Sequence, residues 1–208
     1  MANSYRGRDM HVERVIAQYL DEHLYNDGRF SRHERTDGRE QQLSGSDIII
    51  SVPSLGIEDA IVDEKAITHY MIRQLPTFAL ELSFLSQSGD VVEGWLTDAE
   101  KVSEYYLMMW PVATKPWSIE IEDIKYIDYM LVKRSDILQW LEDQGYSIDR
   151  LREKATEIRN TIFENGAIDK IDGKDFWFFL TTKLAERPIN VVVRKKVYES
   201  IALMVGRI

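Results

Sequence analysis

The chain has no cysteine, which excludes disulfides and thiolate metal sites and makes intracellular, cytoplasmic residence the simplest reading. It has no apolar run long enough to span a bilayer. Met1 to Arg14 is polar and charged, so the start of the chain does not read as a secretory signal. No glycine-rich phosphate loop, Gly-x-Ser-x-Gly turn or His-Glu-x-x-His pair occurs. The histidines, His11, His23, His33 and His69, lack zinc spacing. Positive charge is short as well: 26 Lys and Arg against 35 Asp and Glu leave a net charge of -9. That balance counts against nucleic acid as a partner, because Lys and Arg contacts to phosphate normally supply most of the affinity.

What is present is an ordinary globular composition. With 208 residues, 44% of them hydrophobic and 29% charged, the chain can bury one good core and is read as a single domain over 1–208. The charge is uneven. Residues 1–40 carry 7 basic against 8 acidic groups, residues 41–136 carry 7 against 16, and residues 137–208 carry 12 against 11. The deficit lies in the middle third, which is also where a cation would be bound. Arg29, Arg32, Arg35 and Arg39, with His33 among them, form a local basic patch that reads equally as a phosphate contact and as a solvated hairpin.

Val12, Val15, Ile16, Tyr19, Leu20 and Leu24 have the spacing of an amphipathic helix over Met10–Tyr25, ended by Asn26-Asp27-Gly28. Strands are expected at 29–36, at Asp47–Val52 and, after the turn Pro53-Ser54-Leu55-Gly56, at Ile57–Ala66. A short helix is expected over Ile67–Gln74, stopping before Pro76. Thr77–Ser86 and Val91–Leu96 flank a hairpin signal at Gln87-Ser88-Gly89-Asp90. Further strands are expected at Tyr105–Pro111, Tyr129–Lys133, Phe176–Thr181 and Asn190–Arg194. Helices are expected at Asp136–Gln144 with Ser135 as N-cap, from Ser147 to about Asn160, and from Lys195 on. This order of elements indicates an α/β or α+β chain with a mixed sheet.

Three acid-x-Lys triplets occur, Asp63 to Lys65, Asp123 to Lys125 and Asp172 to Lys174, and context separates them. Asp172-Gly173-Lys174 is a turn, and Asp123 has no buried strand ahead of it. Asp63 alone ends an apolar strand that follows, 16 residues on, another Asp that opens a strand. In an extended strand Asp63 and Lys65 share a face while Glu64 points away. If the strand of Asp47 pairs beside them, two carboxylates meet near one ammonium, a set of hard oxygen ligands for a divalent cation. Without the cation the carboxylates would repel and one pKa would rise. Each residue also has a plainer reading: Asp47 as a turn cap, Asp63 with Lys65 as a surface ion pair, Glu13 as a solvated helix residue. His69 and Gln74 are auxiliary candidates. Trp95, Tyr105, Tyr106, Trp110 and Trp117 read as core before they read as a base-stacking surface.

A helix with Glu13, then Gly45-Ser46-Asp47-Ile48-Ile49-Ile50, then Ile61-Val62-Asp63-Glu64-Lys65-Ala66 resembles the PD-(D/E)XK, or restriction-endonuclease-like, nuclease superfamily, and within it the Holliday-junction-resolvase and phage-nuclease branch. The resemblance covers roughly residues 9–75, with Ser46 where the eponymous proline would stand. It implies a restriction-endonuclease-like mixed β-sheet flanked by helices, with a nuclease-like core over about 9–110 and a C-terminal extension or subdomain over about 111–208. The implied activity is hydrolysis of DNA phosphodiester bonds with Mg²⁺ (or Mn²⁺). Asp47, Asp63 and the backbone carbonyl of Glu64 would bind the metal, Lys65 would assist the attacking water, and Glu13 would join the catalytic set with Glu22 in reserve. DNA is the implied partner, and a homodimer would suit cutting both strands. The alternative is a non-catalytic nucleic-acid or protein interaction module of the same fold. A third reading, an acidic assembly protein with a fortuitous motif, requires Asp47, Asp63 and Lys65 to lie far apart.

Overall fold

The apolar stripe Val12, Val15, Ile16, Tyr19 and Leu20 is buried along the first helix, α1 (Arg6–Leu20). A wider π-type turn, Asp21–Tyr25, continues it and buries Leu24 and Tyr25. The computed structural model describes residues 6–36, 38, 44–116, 118–161 and 164–208, with side chains from residue 10 on. Arg39 and Trp117, named above as candidates, lie outside the described residues.

The chain forms two compact units, each assembled from separate stretches. The first takes residues 6–75 together with Val102–Arg134 and Ile201–Ile208. Its sheet contains β1 (Arg32–Arg35), β2 (Ile48–Val52), β3 (Ile57–Ala66), β6 (Tyr105–Ala113), β7 (Ile124–Lys133) and β11 (Met204–Arg207), neighbours in that order. All pairs are antiparallel except β3 with β6, which is parallel. The sheet is therefore mixed. On one face Ile48, Ile50, Val62, Leu107, Met109 and Leu131 join the α1 stripe in a single apolar core. Strand β6 is buried along its whole length.

The second unit takes Pro76–Lys101 and Ser135–Ser200. It holds β4 (Thr77–Leu85), β5 (Val91–Glu93), β8 (Gly166–Ile168), β9 (Phe176–Leu180) and β10 (Ile189–Arg194) in an antiparallel sheet of order β5-β4-β10-β9-β8. The β4–β5 hairpin forms around the Gln87–Asp90 turn as expected. Helix α3 (Ile148–Asn160) lies against β4 and β10 and buries Leu151, Ala155 and Ile158. It follows α2 (Arg134–Asp143), and α4 (Lys195–Ile201) is the last helix. Among the described residues the architecture is mixed α+β, two sheets and four helices, and no helix is long and apolar enough to cross a membrane.

Two local expectations need correcting. Residues 67–74 form turns rather than a helix. In that stretch Met71 is fully buried while Tyr70 and Ile72 are more than half exposed, so one anchor is too little to stabilise an eight-residue helix. Ser135 is no N-cap, because α2 begins one residue earlier at Arg134 and the Ser135 hydroxyl donates to Asp136. Ser147 does cap α3, accepting the Arg150 N–H at 3.3 Å.

Candidate functional site

Strand register decides where the two aspartates meet. Ile48 pairs with Val62, Ile49 with Ile61 and Ile50 with Ala60, so Asp47, one residue before Ile48, falls across from Asp63. The Asp47 N–H donates to the Val62 carbonyl at 3.0 Å, and Asp47 Oδ2 accepts the Glu64 N–H at 2.8 Å. Upstream, Gly45 takes φ 83°, a left-handed conformation that glycine adopts without a Cβ penalty. The Thr36 hydroxyl donates to the Ser46 carbonyl, and the Thr36 N–H to that of Asp47. The entry to β2 is thus tied down on both sides.

Asp63 is 2% exposed, and its Oδ1 meets the Lys65 ammonium at 2.7 Å. Its Oδ2 is buried and meets no hydrogen-bond donor among the described residues. When protonated, Asp47 can share a hydrogen bond with the Asp63 carboxylate. Burial, the Asp63 charge and that hydrogen bond push Asp47 up to about 7, against the opposing pull of Lys65 and the Glu64 N–H. For Lys65, burial disfavours the charged form. The charge and hydrogen bond of Asp63, with smaller contributions from Asp47 and Glu13, outweigh it and hold the lysine above its ordinary value. Lys65 is therefore a cation at neutral pH.

The other sequence candidates divide. Glu13 is exposed on α1, within electrostatic reach of Lys65. Glu22 is exposed and accepts from Gln18 on its own helix. His69 is exposed, while Gln74 donates to the Trp110 carbonyl and to Asp128. Tyr105, Tyr106 and Trp110 are buried, in line with core packing. The basic patch is matched by acids in place: Arg29 by Asp27, Arg32 by Glu34 and Asp59, and Arg35 by Asp21 and Glu64.

Sequence reasoning missed two sets of neighbours. On the reverse face of β3, the Glu64 carboxylate accepts from the Tyr25 hydroxyl at 2.7 Å and from Arg35 at 3.0 Å. Arg35 also reaches Asp21 and the Ala17 carbonyl at 2.9 Å. Burial would weaken the Arg35 charge, but the two acids override it and raise its pKa. Beside Asp63, the parallel pairing of β3 with β6 sets Tyr106, whose hydroxyl is pushed up by burial and by Asp63 against the pull of Arg134 and Ser103. No short motif signals either set, since each depends on contacts between distant strands.

Among the described residues no group of three or more His, Asp or Glu side chains is arranged to hold a metal ion. What exists is a pair of carboxylates with a backbone carbonyl at Glu64 between Asp63 and Lys65. The donor set is one a hard divalent cation would accept: all oxygen, one carboxylate oxygen buried without a donor, and a mutual repulsion that a cation would relieve. In comparisons with known proteins, the chain matches no family model, no curated protein and no solved structure.

Proposed function

We propose that the protein is a metal-dependent nuclease that hydrolyses DNA phosphodiester bonds, with Asp47, Asp63 and Lys65 as its site and a restriction-endonuclease-like arrangement of α1, β1, β2, β3 and β6 as its frame. The observation that carries this reading is the cross-strand pair of Asp47, partly buried, and Asp63, buried, with an ammonium 2.7 Å from Asp63. The acidic-assembly reading expected the three residues far apart, and their meeting favours the nuclease reading over it. The mixed sheet, helix first and antiparallel meander next, is in keeping with the same reading.

Asp47, Asp63 and the Glu64 carbonyl would hold Mg²⁺ or Mn²⁺. The ion would supply Lewis acidity toward a phosphate and its attacking water. The chain's own residues define the rest. Lys65, charged at neutral pH, is unsuited to take a proton as a base, so its role is to orient the water and to stabilise the extra negative charge at phosphorus. Asp47 must give up its proton before it can act as a ligand, so metal binding is expected to tighten as pH rises toward about 7. Glu64 fixes the strand from behind through Tyr25 and Arg35, while its N–H orients Asp47.

A second reading, a non-catalytic interaction module of the same fold, draws on the absence of a third carboxylate or histidine ligand among the described residues. Cleavage of duplex, single-stranded and branched DNA in Mg²⁺ or Mn²⁺ separates the two. The nuclease reading predicts cleavage by the wild type and losses of about 10²–10³-fold or more in Asp63→Asn and Lys65→Ala, the scale of removing one electrostatic stabiliser, with circular dichroism unchanged. No cleavage of any substrate would leave the second reading.

A further inference from the structure

The β8–β9 hairpin of the second unit holds a separate feature. Its loop, residues 169–175, reverses at Asp172-Gly173, where Gly173 takes φ 86° and the Lys174 N–H closes the turn on the Ile171 carbonyl at 3.1 Å. The loop walls a cleft of about 480 Å³, within the roughly 300–1,000 Å³ of ligand clefts. Tyr146, partly exposed, gives it an aromatic wall and rests on the buried Phe176 and Phe178, its ring centre 5.4 Å from the first and 5.2 Å from the second. Lys170 and Lys174, both exposed, line it as well.

The lysines are placed on rings rather than on acids. Lys174 lies 5.7 Å from the Phe176 ring centre and Lys170 lies 4.7 Å from that of Trp177. Neither makes an ion pair among the described residues, whereas Asp169, the acid lining the cleft, is held by Lys154 at 2.7 Å. The loop sets Lys170 and Lys174 among three acids, of which Asp169 is held by Lys154 and Asp175 by Lys196 at 2.8 Å. Ammonium groups without a carboxylate are point-charge partners for phosphate, and an aromatic side chain stacks on any base that is not already paired.

We infer that this cleft binds a nucleotide of a single-stranded nucleic acid, with the base against Tyr146 and phosphate on Lys170 and Lys174. A duplex buries its base faces and cannot use the Tyr146 ring, and an acidic peptide has no need of it. The inference deepens the nuclease reading, on which its purpose rests, by naming the form of strand that the second unit engages.

The test is fluorescence anisotropy of a labelled oligodeoxythymidine strand in EDTA, where no cleavage occurs, over a range of salt. Lys170→Gln with Lys174→Gln is expected to weaken binding about tenfold near 0.1 M salt. It should also flatten the log-log salt slope by about 1.4, about 0.7 for each phosphate no longer neutralised. Tyr146→Ala is expected to weaken binding about tenfold with the slope unchanged, the scale of one stacked base. Wild-type affinity in both variants would overturn the inference. So would equal competition by duplex of the same sequence or by polyglutamate. Because the lysines are exposed, loss of fold does not confound that variant. Asp63→Asn should bind the strand normally while failing to cleave. Failure of the cleft variants with cleavage intact therefore condemns the cleft alone, and binding without any cleavage condemns the nuclease reading alone.

Discussion

Asp47 holds its proton because burial and the Asp63 charge act on it together, and this makes the site sensitive to pH before any ligand arrives. The folded pKa, about 7, stands above the ordinary 3.8. Between those values the native chain keeps a proton that the unfolded chain has lost, so stability falls as pH rises through the window, by at most about 1.4 kcal/mol per pH unit. Urea unfolding in EDTA at pH 5 and pH 8 should show that loss in the wild type. Asp47→Asn should show less of it and be the more stable protein at pH 8, since its amide keeps an acceptor for the Glu64 N–H and a donor toward Asp63 without the charge. Behind the strand, Tyr25→Phe removes the hydroxyl from the partly buried Glu64 carboxylate and should cost about 1 kcal/mol or more, read by the same unfolding. The facing of Asp63, Glu64 and Lys65 was legible in the sequence because strand alternation is a local rule. The Tyr25–Glu64–Arg35 network was not, since its members lie 29 and 39 residues apart and meet only after the sheet has formed.

At the scale of elements, strongly patterned segments and short strands next to a clear turn, β1 and β5, were readable, and short strands without such a signal were not. The α1 stripe, β3 and α3 fall within a few residues of the expected positions, because each repeats its apolar period over several turns or pairs. Strands β8 and β11, with three and four residues, carry too little pattern to declare themselves and exist through their partners β9 and β7. The parallel pairing of β3 with β6 spans the insertion of β4 and β5, a pairing that no local signal reports. Caps divide in the same way. Ser147 precedes its helix with a hydroxyl on the Arg150 N–H, and Ser147→Ala should cost about 1 kcal/mol. Ser135, already inside α2, should tolerate alanine with a change within about 0.5 kcal/mol. Urea titrations of the two variants side by side check the contrast.

For the molecule as a whole, the net charge of -9 and the carboxylate pair pull in opposite directions on the nucleic-acid reading. Acidic surface repels phosphate, but acidic groups gathered at one buried point attract a cation that can in turn attract phosphate. The charge is also unevenly placed, with its deficit in residues 41–136. Whether Asp47 and Asp63 together form a divalent-cation site is read from calorimetric titration of Mn²⁺ at pH 6 and pH 8 in buffers of different ionisation enthalpy. The account predicts binding that tightens with pH, releases a proton at pH 6 as Asp47 ionises, raises the unfolding temperature, and is lost in Asp63→Asn. Absence of binding at both pH values, or binding that Asp63→Asn leaves unchanged, would contradict it.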